Sequence, residues 1–388
     1  ALGGAGSIFW MWVGALLGMM TKYMEVFLAV RWRVRRPDSR SFCGGPMYYC
    51  SRGIPHPIGK VLAVLFCVFC ILSSLSSGSM VQTNAIAQSM QQSFSVSPAL
   101  CAAVLVLVCG WVLRGGCDRA VQTCSALVPW MSALYLFGCG VILFHFRQNI
   151  PAAFSQILTQ AFSSDSIAGA AGGGIGFFTC VRVGISRGIF THEAGLGSAS
   201  IAHACSGAHS PVEQGFWGIF EVFCDTILVC TITALSILAS GVPLGASGAY
   251  QAFCSVMGKT GGRLLGISLS LFAFASVISF CLYGQRCVEY LFGDSRRALS
   301  LYRCIFLIGC AAGCFARLPV VFALADLLNA CLLLPNLIVL LILSPQVFSA
   351  TREYCLKGAT YLCSSVHSKP VPSSKSCCAQ RQSSRRSC

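Results

Sequence analysis

The sequence predicts an all-α polytopic membrane protein, and three observations carry this prediction. Hydrophobic residues make up 55% of the chain and charged residues only 10%, whereas soluble domains carry about 25% charged residues. Several apolar runs are long enough to cross a hydrocarbon core of about 30 Å as helices. These runs are continuously apolar and lack the alternating segments of about 10 residues that a membrane β-barrel needs.

Nine apolar segments are predicted to span the bilayer, and together they form one transmembrane domain, residues 1–350. The segments cover residues 7–31, 60–90, 98–113, 123–146, 167–181, 216–240, 262–285, 298–316 and 320–350. The shorter segment 151–163 begins with a proline, which suits a helix N-terminus. We predict that this segment forms an interfacial helix on the outer side of the membrane.

The formal charge of +15 is distributed in a way that indicates membrane topology rather than nucleic-acid binding. If the first span runs from outside to inside, the inside segments hold 22 Lys and Arg residues and the outside segments hold four. Such an excess is the positive-inside signal of a cell inner-membrane protein. The basic tail, residues 351–388, is then cytoplasmic, and its Ser-rich, charged composition predicts disorder.

The 25 cysteines do not indicate a metal site or a disulfide framework. Most lie within apolar runs, where a free cysteine behaves as a small hydrophobic residue. Cys67 and Cys70 have a zinc-like spacing, but no second pair complements them. We expect no cofactor from this part of the sequence.

The weakest of the predicted spans is residues 167–181, because it contains five glycines within eight positions. These are Gly169, Gly172, Gly173, Gly174 and Gly176. Each glycine costs a helix interior about 1 kcal/mol relative to alanine. An unwound segment is tolerated at membrane depth where it is buried in protein or lines a cavity, and such segments mark transporter binding sites. The alternative is a helix interface of small residues that permits close packing.

Charged residues inside apolar spans are costly, so we expect them to face the bundle interior or lie near a span end. Glu221 and Asp225 are four residues apart on one helix face. They fit either structural anchoring or a role in ion binding or gating. Lys22 and Glu25 are three residues apart and are expected to form a local pair.

The stretch GIFTHEAGLGSASIAHA, residues 188–204, is polar and rich in small residues. It lacks the second histidine of the H-E-x-x-H zinc motif. Ser200 and His203 could meet on one helix face, but the G-x-S-x-G elbow of a serine hydrolase is absent. Small side chains that allow close helix approach explain the stretch more simply. We expect Gly195 and Gly197 to be close-packing positions and Glu193 to anchor a helix end.

Six blocks of the chain together resemble the bacterial alanine/glycine:cation symporters, the sodium:alanine symporter family. They are FWMWVGALLGMMTKYMEV (9–26), GGPMYY (44–49), MVQTNAIA (80–87), GIFTHEAGLGSASIAHA (188–204), IFEVFCDTILVCTITAL (219–235) and LFAFASVISFCLYGQRCVEYLFG (271–293). The resemblance implies a LeuT-type inverted-repeat bundle with half-repeats at residues 7–146 and 167–350. Each half then has a discontinuous first span, and the glycine-rich segment matches that of the second half.

The resemblance also implies sodium-coupled symport of a small neutral amino acid, with no enzymatic activity and Na⁺ as coupling ion. The implied substrate-binding residues are Gln82, Gly172, Gly173, Gly174, Gly176, Ser276 and Phe280. Sodium is expected on backbone carbonyls together with Ser276. An intramembrane hydrolase and a channel remain the rival functions, and we expect a monomer.

The chain departs from the family pattern in three places. Ser276 stands where the family has threonine and Phe280 where it has tryptophan, which indicates either a roomier pocket or drift with an unchanged substrate. Ser79, His192 and Ser200 also differ from the family residues. Finally, family members carry a glycine-rich span before the counterpart of residues 1–6. We therefore expect this chain to lack the first core span, and the 388-residue chain to be inactive by itself.

Overall fold

The computed structural model describes residues 3–35, 42–55, 57–162, 176–245, 247–293 and 295–367. Within these ranges, six helical stretches are long and apolar enough to cross a membrane. They are Ser7–Arg31, Pro57–Phe94, Arg119–His145, Pro211–Ala239, Gly248–Phe292 and Pro319–Leu356. The predicted class, an all-α polytopic membrane protein, is therefore confirmed.

Helices account for nearly all of the described chain. The first seven are α1 (Ser7–Arg31), α2 (Pro46–Gly53), α3 (Pro57–Ser73), α4 (Gln82–Phe94), α5 (Pro98–Arg114), α6 (Gly116–His145) and α7 (Ile150–Phe162). The next seven are α8 (Phe177–His192), α9 (Ser198–Ala204), α10 (Pro211–Val222), α11 (Thr231–Ala239), α12 (Gly248–Phe292), α13 (Arg296–Gly313) and α14 (Leu318–His367). A short antiparallel pair, Val34–Arg35 with Phe42–Cys43, follows α1.

Two π-helical segments interrupt the long hydrophobic helices. Ser74–Val81 joins α3 to α4, and Phe223–Cys230 joins α10 to α11. A π-helical segment disturbs the regular i→i−4 hydrogen bonding of the backbone and occurs frequently at functional sites. Both segments carry polar side chains in otherwise apolar surroundings, and both contribute to the site described below.

The helix starts follow local sequence signals. Ser97 accepts a hydrogen bond from the backbone N–H of Leu100, and Pro98 occupies the first turn of α5. Ser210 caps α10 in the same way. A helix start leaves its first backbone N–H groups unpaired. The capping serine accepts a hydrogen bond from one of these groups, and a proline in the first turn has no N–H to be left unpaired.

Most of the span predicted at residues 167–181 lies outside the described residues, which resume at residue 176. Helix α8 covers Phe177–His192, so it continues past the predicted span end at residue 181 into residues that were counted among the inside segments. The reason is close packing on α1: a Cβ at Gly184 would collide with the carbonyl oxygen of Ser7, and one at Gly188 would contact Met11. Arg187 pairs with Asp326 of α14, and both side chains are partly exposed.

The helices pack as interlocking pairs. Helix α1 packs on α8 and α10, α12 packs on α4 and α6, and α13 packs on α5 and the first π segment. Cysteines take part in this packing as apolar side chains. Cys109, Cys281 and Cys310 lie in one core cluster with Phe306.

The chain divides into two compact units, residues 1–347 and 348–388. The tail that we predicted to be disordered from residue 351 is helical as far as His367. Residues 368–388 lie outside the described ranges. All site residues discussed below belong to the first unit.

Candidate functional site

A helix break at the centre of the bundle organises the site. Helix α8 ends at His192 and α9 begins at Ser198, and the residues between them leave the helical conformation. Glu193, Gly195 and Gly197 have φ values of 53°, 90° and 76°. This left-handed region is easily reached by glycine and is unusual for other residues, so the two glycines permit the break. The break therefore lies within the sequence EAGLG.

The break was predicted earlier in the chain, within the glycine-rich segment. Gly172, Gly173 and Gly174 of that prediction lie outside the described residues. Gly176 is extended, with φ −63° and ψ 146°, and immediately precedes α8. The observed break is found where the sequence predicted close packing at Gly195 and Gly197 and a helix end at Glu193.

Asn336 of α14 forms a hydrogen bond to the broken segment. Its Nδ2 donates to the carbonyl oxygen of Gly195 at 2.9 Å and to Glu25 Oε1 of α1 at 2.6 Å. Its Oδ1 accepts a hydrogen bond from the Tyr49 hydroxyl. Asn336 and Glu25 are both fully buried. Because an unpaired buried carbonyl is costly, this amide stabilises a non-helical backbone in the bundle interior.

Lys22 of α1 forms a hydrogen bond at the C-terminal end of α8. Its Nζ donates to the carbonyl oxygen of His192 at 3.0 Å and lies 3.3 Å from Glu221 Oε1. A cation at this position complements the negative end of the helix dipole. The predicted local pair of Lys22 with Glu25 was wrong, since Glu25 is drawn away by Asn336 and Lys22 reaches Glu221 on α10.

The glycines of the break are closely packed. A Cβ at Gly197 would lie 2.5 Å from Pro46 Cγ, and one at Gly195 would lie 3.1 Å from Leu333 Cδ1. Glu193 Oε2 accepts a hydrogen bond from Ser198 Oγ at 2.6 Å. The carboxylate of Glu193 thus bridges the gap to the first residue of α9.

A cavity of about 300 Å³ opens beside the break. It is lined by Ser77, Gln82, Phe190, Thr191, Glu193, Leu196, Asp225, Ser276, Phe280 and Asn329. Five of the residues singled out from the sequence therefore meet here, although they come from distant parts of the chain. They are Gln82, Glu193, Asp225, Ser276 and Phe280. Glu221, Gly195 and Gly197 are not among the lining residues and support the break instead.

The cavity wall contains both oxygen-bearing side chains and apolar side chains. Ser276 Oγ donates to the carbonyl of Phe272 at 3.1 Å, so its lone pairs are available to a ligand. Asn329 Oδ1 accepts hydrogen bonds from Ser73 at 2.7 Å and from Ser77 at 3.2 Å. Broken helices beside such cavities hold small ions and charged substrate groups in membrane carriers.

Asn329 and Asn336 were missed as site residues by the sequence analysis. A signal was present, because two asparagines seven residues apart in an apolar run lie on one face of a helix. Both point into the bundle, one towards the cavity and one towards the break. Ser77 was also missed, and its signal was the serine-rich sequence SLSSGS within an apolar helix.

The geometry does not support a serine hydrolase. Ser200 Oγ donates to the carbonyl oxygen of Gly197 at 2.7 Å. The His203 ring instead contacts Glu221 Oε2 at 2.7 Å and Gln214 Nε2 at 2.8 Å. A hydrolase needs its serine and histidine joined by a hydrogen bond. Among the described residues, no group of three or more His, Cys, Asp or Glu side chains is arranged to hold a metal ion.

A helical membrane bundle with a polar cavity beside a broken helix defines the class of membrane carrier proteins. Residues 1–362 match the model of the sodium:alanine symporter family. The chain belongs to this family, as the sequence blocks predicted, and it is therefore a transporter rather than an enzyme.

Three curated relatives illustrate the similarity. The sodium/alanine symporter AgcS of Methanococcus maripaludis is 38% identical over 91% of this chain and 78% of its own length. The probable sodium/glutamine symporter GlnT of Bacillus subtilis is 32% identical over 91% of this chain and 73% of its own length. The amino-acid carrier protein AlsT of Bacillus subtilis is 31% identical over 97% of this chain and 79% of its own length.

Proposed function

We propose that the protein is a sodium-coupled symporter that carries a small neutral amino acid across the cell's inner membrane by alternating access. The observation that carries the proposal is the cavity beside the Glu193–Gly197 break. It combines carboxylate, amide and hydroxyl groups in the interior of a membrane bundle. Coupling follows if ion and substrate both stabilise the same conformation of the bundle.

The substrate is proposed to be of alanine size. A volume of about 300 Å³ is at the lower end for ligand pockets, which run from roughly 300 to 1,000 Å³. Asp225 offers a partner for the substrate's ammonium group, and the amide of Gln82 offers hydrogen bonds to its carboxylate. Phe280, Phe190 and Leu196 then face the apolar side chain. The relatives named for alanine and glutamine transport agree with a neutral amino acid.

Sodium is proposed to bind where the cavity is richest in oxygen atoms. Ser276 supplies a hydroxyl oxygen, and Glu193 and Leu196, the residues of the break that line the cavity, supply backbone carbonyl oxygens. Ser77, in the π segment opposite, adds a second hydroxyl. The glycine-rich residues 172–176 remain proposed contributors to the substrate site.

We further propose a LeuT-type inverted repeat with halves at residues 7–146 and 167–350. Helices at equivalent positions of the two halves pack together: α1 with α10, α4 with α12, and α5 with α13. Such pairing is expected near a pseudo-two-fold axis. We propose nine spans in total. They are the six long apolar stretches together with α5, the broken pair α8–α9 and α13. The tail beginning at residue 351 is then cytoplasmic.

Uptake into proteoliposomes tests the function. The full-length protein is reconstituted, and labelled alanine uptake is measured with an inward sodium gradient and with sodium replaced by potassium. We expect saturable uptake that requires sodium. Uptake that does not saturate would indicate a channel, and uptake driven equally by a proton gradient without sodium would contradict sodium coupling.

A further inference from the structure

A second cavity lies on the outside of the bundle, between α5 and α13. It is a groove of about 600 Å³ lined by Val106, Leu107, Gly110, Trp111, Leu113, Arg114, Ser300, Arg303, Cys304 and Leu307. Eight residues separate Val106 from Arg114, so the groove runs about 12 Å along α5. One end is apolar and the other carries two arginines. Leu107 and Trp111 are 73% and 62% exposed, which places the groove on the lipid-facing surface.

The basic end of the groove has unused hydrogen-bonding capacity. Arg303 Nη2 donates to Gln285 Oε1 at 3.0 Å, but its buried Nε has no hydrogen-bond partner among the described residues. Within the same part of the chain, neither Arg303 nor Arg114 lies within salt-bridge distance of a carboxylate. Arg119 stacks over the Trp111 ring at 4.8 Å and adds a third positive charge close by. The charge at this end is therefore available to an external anion.

We propose that this groove binds an anionic phospholipid. The phosphate would lie on Arg114 and Arg303, with Ser300 as a further donor, and an acyl chain would follow Val106, Leu107 and Leu307. A soluble phosphate compound would leave the apolar half of the groove unused. A zwitterionic lipid would leave the arginine charge uncompensated. Basic pockets between transmembrane helices on the cytoplasmic side bind anionic headgroups in other membrane proteins.

The position of the groove agrees with the proposed topology. Arg114 ends α5, and Arg303 lies about 10 Å along α13 from its first residue, so both are in the cytoplasmic half of the proposed bundle. Trp111 lies one turn before Arg114, where the aromatic residues of a membrane interface are found. The groove thus has its charged end towards the cytoplasmic headgroups, which a long arginine side chain can reach, and its apolar end deeper in the hydrocarbon core.

The lipid-binding helix also supports the wall of the transport cavity. The Tyr302 hydroxyl of α13 lies 2.9 Å from Ser74 Oγ in the first π segment. A Cβ at Gly309 would lie 2.7 Å from Ser79 Oγ of the same segment. Because α13 packs so closely behind this segment, a lipid that holds α5 and α13 together stabilises the folded bundle by mass action.

Native mass spectrometry and thermal unfolding of the delipidated protein in neutral detergent test the proposal. Phosphatidylglycerol is titrated against phosphatidylcholine with the same acyl chains. We expect preferential binding of phosphatidylglycerol and a higher unfolding temperature in its presence. The double variant R114Q/R303Q should bind it about 10- to 30-fold more weakly, at about 1 kcal/mol per arginine. The matched control R296Q/R297Q removes the same charge from α13 outside the groove and should bind normally.

A second variant keeps the arginines and fills the apolar half. A Cβ at Gly110 would have only Leu307 within 4 Å, at 3.8 Å, so Gly110→Leu fits but occupies the acyl-chain path. We expect this variant to bind phosphatidylglycerol more weakly as well. Unchanged binding in R114Q/R303Q or in Gly110→Leu, equal binding of phosphatidylcholine, or equal competition by glycerol phosphate would overturn the proposal. The readout is lipid binding, so its failure is distinct from a failure of transport.

Discussion

The amide of Asn336 and the carbonyl of Gly195 form a hydrogen bond of 2.9 Å that joins α14 to the centre of the broken helix. The same amide donates to the buried carboxylate of Glu25. One side chain therefore joins α14 to both α1 and the break, and it satisfies a backbone group that has left its helix.

Replacement of Asn336 by alanine should impair both folding stability and transport. Each buried polar group left unpaired costs roughly 1–3 kcal/mol, and here Glu25 and the Gly195 carbonyl both lose their partner. Thermal unfolding and sodium-driven alanine uptake measure the effect. The control is Asn149→Ala, which removes a comparable bond to the carbonyl of Ala239 away from the cavity. Similar behaviour of the two variants would show that the break does not depend on Asn336.

Replacement of Gly197 by alanine should abolish transport. Its φ of 76° is unfavourable for alanine by about 1–2 kcal/mol, and the new Cβ would lie 2.5 Å from Pro46 Cγ. Gly207→Ala is the matched control, because no atom lies within 4 Å of a Cβ there. Uptake rates of the two variants at equal protein amounts decide the point. Normal transport by the Gly197 variant would mean that the break tolerates rearrangement.

Replacement of Ser276 by alanine should weaken sodium dependence without unfolding the protein. Loss of one oxygen ligand is expected to raise the sodium concentration for half-maximal uptake about tenfold, which corresponds to about 1.4 kcal/mol. Ser268→Ala is the control: Ser268 makes the same type of bond to a helix carbonyl on α12 but does not line the cavity. If both variants show the wild-type sodium curve, Ser276 is not a sodium ligand.

Lys22 and Glu221 should respond asymmetrically to substitution. Lys22 is fully buried and Glu221 is 44% exposed. Glu221→Gln leaves a buried ammonium group without its counter-ion, at a cost of roughly 3–5 kcal/mol, whereas Lys22→Met leaves a partly exposed carboxylate that still contacts His203. We expect the double variant to be more stable than Glu221→Gln alone. Thermal unfolding of the three proteins measures this order, and equal effects of both single substitutions would contradict it.

Phe280 should set the size limit of the substrate. The side chain lines the cavity and packs against Gly78, where a Cβ would collide with it. Phe280→Trp introduces a larger aromatic side chain and should reduce the cavity volume. Competition of labelled alanine uptake by unlabelled neutral amino acids of increasing size tests this. We expect larger competitors to lose potency relative to glycine, and an unchanged ranking would contradict the role of Phe280.

The sequence was sufficient for the membrane class, the family and much of the cavity. Gln82, Ser276 and Phe280 could be identified because the blocks that contain them are specific. The observed position of the helix break could not be identified in this way, because glycine content alone does not distinguish a break from close packing. Gly184 and Gly188 are helical, whereas Gly195 and Gly197 are not. That difference depends on tertiary partners that no local pattern reveals.

The sequence alone also could not predict which charged residues form pairs. Helical spacing favoured Lys22 with Glu25, but Lys22 pairs with Glu221, nearly 200 residues away, while Glu25 Oε1 accepts a hydrogen bond from Asn336. Local spacing gives the pairs that are possible, and packing selects among them.

Equilibrium binding of alanine to the purified full-length protein tests the central claim most directly. Titration calorimetry is performed in sodium and in potassium buffers of equal ionic strength, with the wild type, Asp225→Asn and Ser268→Ala. We expect saturable binding in sodium alone, retained by Ser268→Ala and lost or strongly weakened in Asp225→Asn. Equal binding in potassium, or full binding by Asp225→Asn, would contradict the assignment of the cavity beside the Glu193–Gly197 break as the joint site of substrate and sodium.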